Sequence, residues 1–304
     1  MSSSITPVAE PSAPDAMREE LNDTTLITRF KDLEIHLFEG PQAPETLNEI
    51  GRIREVEYRR MGAGRNLARD LDRLDSEEPM YRQIVSFDRE QGELVAMYRA
   101  QHGGYALRTG GVGVLRTSSL FEFSPEFREQ ELPYLIELGR SVVNSNSRRA
   151  IQGLFSVWSG LAALHRELPE LLGFFGNVSV YDDISDEQLD TLLGYLYTHH
   201  GDSAARVTAK PDLGRPLENI PENIPASFDA LVERASHEGW AVPPILISYL
   251  KAGPGFTAFD TALDADFGGV REIAVLMPLN NIAPKTYTRF IEPYVSLNPD
   301  AFKW

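Results

Sequence analysis

Apolar and polar positions alternate in several short segments of the chain, as in strands with one buried face. The segment LEIHLFEG at residues 33–40 alternates in this way and ends in a turn signal. Two segments, YRQIVSFD and ELVAMYRA, are joined by the polar link REQG and predict a hairpin. LLGFFGNVSVY at residues 171–181 is almost wholly apolar in its first half, which indicates a central strand. The other predicted strands are YLIELGRSVV, GFTAFD and REIAVLMP.

Longer segments have apolar residues three and four positions apart, which predicts α-helices. The predicted helices lie at residues 43–62, 147–168, 185–200, 228–237 and 243–252. Ser185 is a suitable N-cap, because acidic residues follow it in the first turn. The apolar stripe of the second helix, which we expect to face the core, consists of Ile151, Leu154, Phe155, Trp158, Leu161, Ala162 and His165. Strands and helices together predict a mixed α/β fold without an internal repeat.

Composition shifts along the chain predict its organisation. Residues 1–24 are rich in Ser, Pro and Ala and predict a disordered tail rather than a signal peptide. Residues 25–200 contain most of the periodic segments and predict the core. Residues 201–225 are rich in proline and lack apolar periodicity, so we expect a long loop or lid. Residues 226–304 are then expected to form a C-terminal extension packed on the core.

Composition also excludes several classes of function. The chain has no cysteine, which excludes disulfides, thiol nucleophiles and cysteine-ligated zinc and makes a cytoplasmic location the default expectation. A net charge of −16 argues against a general nucleic-acid binder. No segment approaches the roughly 18 consecutive apolar residues of a membrane span. Nucleotide-binding glycine motifs, a nucleophile elbow and the calcium loop of an EF-hand are also missing, and no metal site is expected.

The segment at residues 51–69 is basic on an otherwise acidic chain, with six arginines against two glutamates. One interpretation is a solvated helix face held by salt bridges. The other is a docking face for an acidic partner or a phosphorylated ligand. The sequence alone leaves both open.

Three charged residues lie on predicted central strands, namely Arg99, Glu137 and Arg140. A buried charge costs several kcal/mol unless it is paired or faces a solvated cleft. They therefore indicate either an internal salt bridge or a site at which the sheet opens. In such a site the glutamate could accept a proton from an ammonium group, while the arginines bind a carboxylate. That pairing suits amide formation on an acceptor resembling an amino acid.

Two further charged groups lie in loops. Arg148 and Arg149 fall in the first turn of a predicted helix, where cations are disfavoured, so an anion such as phosphate is expected beside them. The aspartates of RDLDRLD, of which Asp72 and Asp75 are the main candidates, have three interpretations. They are solvated, they orient a cationic acceptor, or they lock the loop against the arginines.

The order of these motifs resembles that of a known family. Asp72-x-x-Asp75, then Arg99, then Glu137-x-x-Arg140 is similar to the signature of acyl-homoserine-lactone synthases, which have the acyltransferase fold of the GNAT superfamily. ELGRSVV, the arginine-bearing loop after it and LFSVWSGLAAL resemble the ornithine-lipid and glycine-lipid synthases, often labelled hemolysin-like. The similarity extends to residue 278. It implies a mixed, mostly antiparallel sheet flanked by helices, with a C-terminal α/β extension.

The resemblance also implies roles for individual residues. Glu137, Arg140 and Arg99 match catalytic positions, and Asp72 and Asp75 match the acids of the acceptor loop. The donor would lie at Val143, Asn144, Arg148 and Arg149. Because VVNSNSRRA lacks the glycines of the usual GNAT pyrophosphate loop, a single phosphopantetheine phosphate is favoured. Phe155, Trp158, Phe174 and Phe175 are candidates for an acyl tunnel, with ordinary core packing as the alternative.

The implied reaction moves a long acyl chain from acyl carrier protein, or from CoA, to the amino group of an amino acid or related amine. Acyl-phosphopantetheine or acyl-CoA is then a co-substrate, and no tightly bound cofactor is expected. The expected partners are acyl carrier protein and the amine, with peripheral contact at the inner face of a membrane and no nucleic acid. Two alternatives stay open: a non-catalytic protein that binds acyl lipids, and a synthase of signals or other natural products.

Overall fold

The computed structural model describes residues 5–181, 183–215 and 223–304. The strands are β1 (Leu26–Phe30), β2 (Leu33–Glu39), β3 (Arg82–Asp88), β4 (Glu93–His102), β5 (Phe121–Phe123), β6 (Leu135–Val143), β7 (Gly173–Val180), β8 (Val207–Ala209), β9 (Thr257–Asp264) and β10 (Val270–Pro278). The helices are α1 (Pro14–Glu20), α2 (Pro44–Arg60), α3 (Gly103–Thr109), α4 (Ala150–Glu167), α5 (Asp186–His200), α6 (Phe228–His237), α7 (Pro244–Ala252) and α8 (Pro284–Thr286). The strands and helices predicted from periodicity all form.

One large sheet organises the described residues, with the strand order β1-β2-β3-β4-β6-β7-β10-β9. Its neighbouring strands are antiparallel except for β6 and β7, which are parallel. The short strands β5 and β8 pair separately. The predicted mixed, mostly antiparallel sheet flanked by helices is therefore confirmed.

The sheet opens between its two parallel strands. β6 and β7 pair only from Leu135 opposite Gly173 to Leu138 opposite Gly176. Beyond these residues β6 continues along β4 and β7 continues along β10. The register between β4 and β6 also shifts between Met97 and Arg99. Arg99 lies opposite Gly139 and Met97 lies opposite Val142, so β6 contains one more residue than β4 in this interval. This bulge, with Arg140 at a φ of 53°, bends β6 away from β7.

The two faces of the sheet are covered by different helices. On one face, α4 packs on side chains such as Ile84 and Ala96, and on the other, α2 packs on Val85 and Met97. α4 approaches the sheet closely at Gly160, where an added Cβ would lie 2.6 Å from Cγ2 of Ile84. The predicted stripe of α4 is wrong at Ile151, which is 91% exposed. Small residues between the predicted positions let the helix rest on the sheet instead, among them Gly153, Ser156 and Gly160.

The prediction of a disordered tail is wrong for residues 14–21. α1 forms there, and Met17 and Leu21 are buried against residues of α2. The carboxylate of Glu20 accepts hydrogen bonds from the backbone N–H groups of Glu45 (2.9 Å) and Thr46 (2.8 Å). Since these N–H groups lie in the first turn of α2, Glu20 caps that helix. The composition of residues 1–24 did not predict this helix, because the helix is held in place by two buried apolar side chains and by the hydrogen bonds of Glu20.

The predicted C-terminal extension, residues 226–304, contributes two strands to the main sheet. β9 and β10 belong to the same sheet as the preceding strands, and β10 pairs along the whole of β7. Within the predicted loop or lid, β8 pairs with β5, while residues 216–222 lie outside the described residues. Among the described helices, none is both long enough and apolar enough to cross a membrane.

Candidate active site

A cavity of about 560 Å³ lies where β6 and β7 separate. It reaches both faces of the sheet, because Tyr58 of α2 and Leu154 of α4 both line it. On the α2 side the strands contribute polar residues, namely Arg99, Glu137, Arg140, Asn177, Ser179 and Glu272. On the α4 side the lining is apolar and includes Val143, Val178, Pro244, Ile245 and Tyr249. The cavity therefore joins a charged compartment to an apolar one through the gap in the sheet.

Glu137 is buried and tightly held. Its Oε1 accepts a hydrogen bond from the backbone N–H of Thr117 (2.6 Å), and its Oε2 accepts one from the N–H of Arg116 (3.0 Å). The hydroxyl of Tyr81 also donates to Oε2. Burial, followed by the charge of Glu137, raises the pKa of Tyr81 well above its usual value, so this hydroxyl keeps its proton. Glu137 thus binds the loop at residues 115–117 to the sheet.

Arg99 is fully buried and holds the acidic loop. Its Nη1 donates to Oδ1 of Asp72 (2.9 Å) and to Oδ2 of Asp75 (3.3 Å). Its guanidinium carbon lies 5.0 Å from the centre of the Tyr81 ring. Burial alone would lower the pKa of Arg99, but Asp75 and Asp72 raise it, so the side chain stays charged. In the described part of the chain, Nε and Nη2 of Arg99 have no hydrogen-bond partner.

Arg140 lies at the bulge of β6, and its side chain is turned towards α2. Its Nε is 2.8 Å from Oδ2 of Asp70, and its guanidinium packs between the rings of Tyr58 and Phe267. Burial alone would lower the pKa of Arg140, but Asp70 raises it. The internal salt bridge and the opening of the sheet, which were alternatives from the sequence, therefore occur together.

Of the three interpretations of the aspartates, the contacts match the locked loop. Asp75 is buried, and its Oδ1 accepts from Nη1 of Arg54 (2.9 Å) and from Nε2 of Gln83 (3.2 Å). Asp72 caps the short turn Arg73–Asp75 through the N–H of Leu74 (3.0 Å). Burial by itself would raise the pKa of Asp75, but Arg54 and Arg99 lower it below its ordinary value.

Most arginines of the basic segment are also paired. The pairs are Arg52 with Glu49, Arg54 with Asp75, Arg59 with Glu55, Arg60 with Glu57, and Arg65 with Asp70. These contacts match the interpretation of a helix face held by salt bridges. Docking of an acidic partner on this face stays a prediction.

The predicted donor residues are divided between two environments. Val143 lines the cavity, whereas Nδ2 of Asn144 donates to the carbonyl of Leu94 (2.9 Å) and has a structural role. Arg149 pairs with Asp32 in the turn between β1 and β2. Arg148 is exposed and, among the described residues, makes no ion pair. Arg149 therefore already has an aspartate partner, and binding of a phosphate by the two arginines stays a prediction.

The predicted tunnel residues lie beside the cavity and not in its lining. Trp158 and Phe174 line a separate cavity of about 30 Å³, and Phe155 stacks on Phe290. Trp158 in turn stacks on Tyr249, with 6.0 Å between the ring centres, and Tyr249 lines the main cavity. Phe175 packs against Phe127 in another part of the core. The alternative of core packing describes these aromatics in the structure.

Sequence reasoning missed several polar residues of the cavity. Tyr81, Arg116 and Thr117 contact Glu137, and Ser179 contacts Glu272. Glu272 is buried on β10, and burial raises its pKa to about 7. A glutamate inside the apolar segment REIAVLMP is the same signal that drew attention to Glu137, so it could have been found.

The chain is similar to known acyltransferases. A family model described as an acetyltransferase (GNAT) domain matches residues 53–158, from α2 into α4. A glycine N(alpha)-acyltransferase of Phocaeicola vulgatus is 30% identical over 97% of this chain and 96% of its own length. A glycine N(alpha)-acyltransferase of Bacteroides thetaiotaomicron is 29% identical over 97% of this chain and 93% of its own length. No solved structure gives a significant match.

Proposed function

The protein is an acyltransferase that belongs to the GNAT family, and we propose that it moves a long acyl chain from a phosphopantetheine thioester to the α-amino group of a small amino acid. The observation that carries the proposal is the cavity between β6 and β7, which has buried charges on one face of the sheet and apolar residues on the other. The charged compartment suits the amino acid, and the apolar compartment suits the acyl chain.

The acceptor binds on the α2 side in this proposal. Nε and Nη2 of Arg99 are buried without a partner among the described residues, and the residue lines the cavity. A guanidinium with free N–H groups is suited to the carboxylate of an amino acid. Glycine is the first candidate because both relatives are named as glycine N(alpha)-acyltransferases.

The donor binds on the α4 side in this proposal. Val178, Ile245 and Tyr249 offer an apolar surface on which an acyl chain loses contact with water. The thioester then lies in the gap, where hydrogen bonding between β6 and β7 ends at Leu138 and Gly176. Backbone N–H groups that face the gap are suited to the oxyanion of the tetrahedral intermediate.

Acyl carrier protein is the proposed source of the thioester, because one exposed arginine and a loop without glycine suit a single phosphate better than the pyrophosphate of CoA.

Purified protein is incubated with palmitoyl-carrier protein or palmitoyl-CoA and with glycine, serine, ornithine or homoserine. Mass spectrometry then identifies any amide. We expect N-palmitoylglycine, formed fastest from the carrier protein. Another amide would correct the acceptor, and release of free thiol without any amide would refute N-acyl transfer.

A further inference from the structure

Glu272 is a second buried carboxylate in the cavity and lies on β10, which is separated by β7 from the strand that carries Glu137. It lies directly beside Ser179 of β7, and both side chains line the cavity on the α2 side of the sheet. The hydroxyl of Ser179 donates to Oε1 of Glu272 at 2.8 Å. In the described part of the chain no group donates to Oε2. One oxygen of Glu272 is therefore available to a substrate.

Glu137 differs in this respect. Both of its oxygens accept hydrogen bonds, from Tyr81, Arg116 and Thr117 together. A carboxylate has about four lone-pair positions, and a general base needs one of them directed at the proton that it removes. Donors occupy three of these positions on Glu137, and two of the donors are backbone N–H groups of the loop at residues 115–117. Among the described residues a single donor contacts Glu272, so Glu272 has the carboxylate oxygen with both positions open.

We propose that Glu272 is the general base that accepts the proton of the acceptor's ammonium group, and that Glu137 is a positioning residue for the loop beside it. This inference rests on the proposed N-acyl transfer and assigns its proton acceptor.

The step balances without any further reactant. One ammonium proton moves to Oε2 of Glu272 and leaves a neutral amine. The amine nitrogen attacks the thioester carbon, a C–N bond forms, and the carbonyl electron pair moves to the oxygen. The intermediate then collapses, the C–S bond breaks, and the thiolate takes the second proton from the nitrogen. Glu272 afterwards releases its proton to water.

The surroundings of Glu272 suit this role at neutral pH. Burial raises its pKa to about 7, the Ser179 hydrogen bond lowers it, and Asp264 of β9 raises it. The charges of Arg116 and Arg140 lower it. The phenol of Tyr181, which also lines the cavity, has a pKa raised to about 12 by burial and stays neutral. A base with a pKa near the working pH combines a deprotonated form with useful basicity.

The test compares Glu272→Gln with Glu137→Gln in the full-length protein. Initial rates of amide formation are measured from pH 5.5 to 9 with the donor and acceptor that the wild type uses. We expect Glu272→Gln to lower kcat about 10²–10⁴-fold, with a similar KM for the donor, and to remove the rise in rate near pH 7. Glu137→Gln should keep that rise in its residual activity, because it leaves the base in place.

Ser179→Ala provides a second and milder variant. Removing the hydroxyl that stabilises the carboxylate should move the rise in rate to higher pH without abolishing activity. The proposal is overturned if Glu272→Gln keeps the wild-type kcat, or if neither it nor Ser179→Ala changes the pH profile. The separate failure of N-acyl transfer would be recognised in the wild type itself, which would form no amide with any donor or acceptor.

Discussion

Replacing Glu272 with glutamine should stabilise the protein at alkaline pH while lowering its activity. The carboxylate is buried on β10 with one hydrogen bond, from Ser179. Its ionisation in the folded protein is therefore unfavourable compared with ionisation in water. Glutamine has the same shape and can still accept the Ser179 hydrogen bond, but it cannot ionise. The variant should thus keep the packing and avoid the cost of a buried charge.

The magnitude follows from the raised pKa. Burial moves the pKa of Glu272 from 4.5 to about 7. A carboxyl group with a raised pKa contributes stability below pH 4.5, and this contribution is lost as the pH rises through 7. Each pH unit between these values corresponds to about 1.4 kcal/mol, so the ionised side chain costs the folded protein about 3 kcal/mol above pH 7. Near pH 5 the cost is below about 1 kcal/mol.

Urea unfolding at pH 5 and at pH 8.5 measures this difference. We expect the free energy of unfolding of Glu272→Gln, relative to wild type, to be about 2–3 kcal/mol more favourable at pH 8.5 than at pH 5. Glu122→Gln is a suitable control, because it removes the same charge from an exposed position on β5. An equal effect of Glu272→Gln at both pH values would refute the reasoning, since it would mean that ionised Glu272 carries no penalty in the folded state.

The other predictions concern the loop, the α4 interface and the donor. Asp75→Asn should destabilise the protein by about 3–5 kcal/mol in urea, because buried Arg54 loses its carboxylate partner and buried Arg99 keeps only Asp72; a loss below 1 kcal/mol would contradict this. Gly160→Ala should cost about 1–3 kcal/mol, read as a lower Tm, because the added methyl group meets Ile84, and an unchanged Tm would show that α4 can shift. Arg148→Ala should raise the KM for acyl carrier protein more than Arg149→Ala, since Arg149 is already paired; the reverse order in steady-state kinetics would exclude Arg148 as the phosphate ligand.

The local elements, and the charges inside apolar segments, could be predicted from the order of residues along the chain. The hairpin of β3 and β4 and the helix Phe228–His237 follow from periodicity and turn residues within a few positions. Arg99 and Glu137 could be singled out because a charge inside an apolar strand needs an explanation in any fold. The same argument applied to Glu272 would have found it. These conclusions depend on neighbours along the chain, which the sequence displays directly.

The contacts of each charge depend on how distant parts of the chain pack together. Glu137 and Tyr81 are 56 residues apart, and Ser179 and Glu272 are 93 residues apart, so no local pattern brings them together. The gap that joins the charged and apolar compartments arises where β6 and β7 stop pairing with each other. Periodicity reports whether a side chain is buried, but hydrogen bonds depend on distances of about 3 Å. Such distances are set by the packing of the whole sheet, which is why Glu137 proved to be held by three donors while an oxygen of Glu272 stayed available.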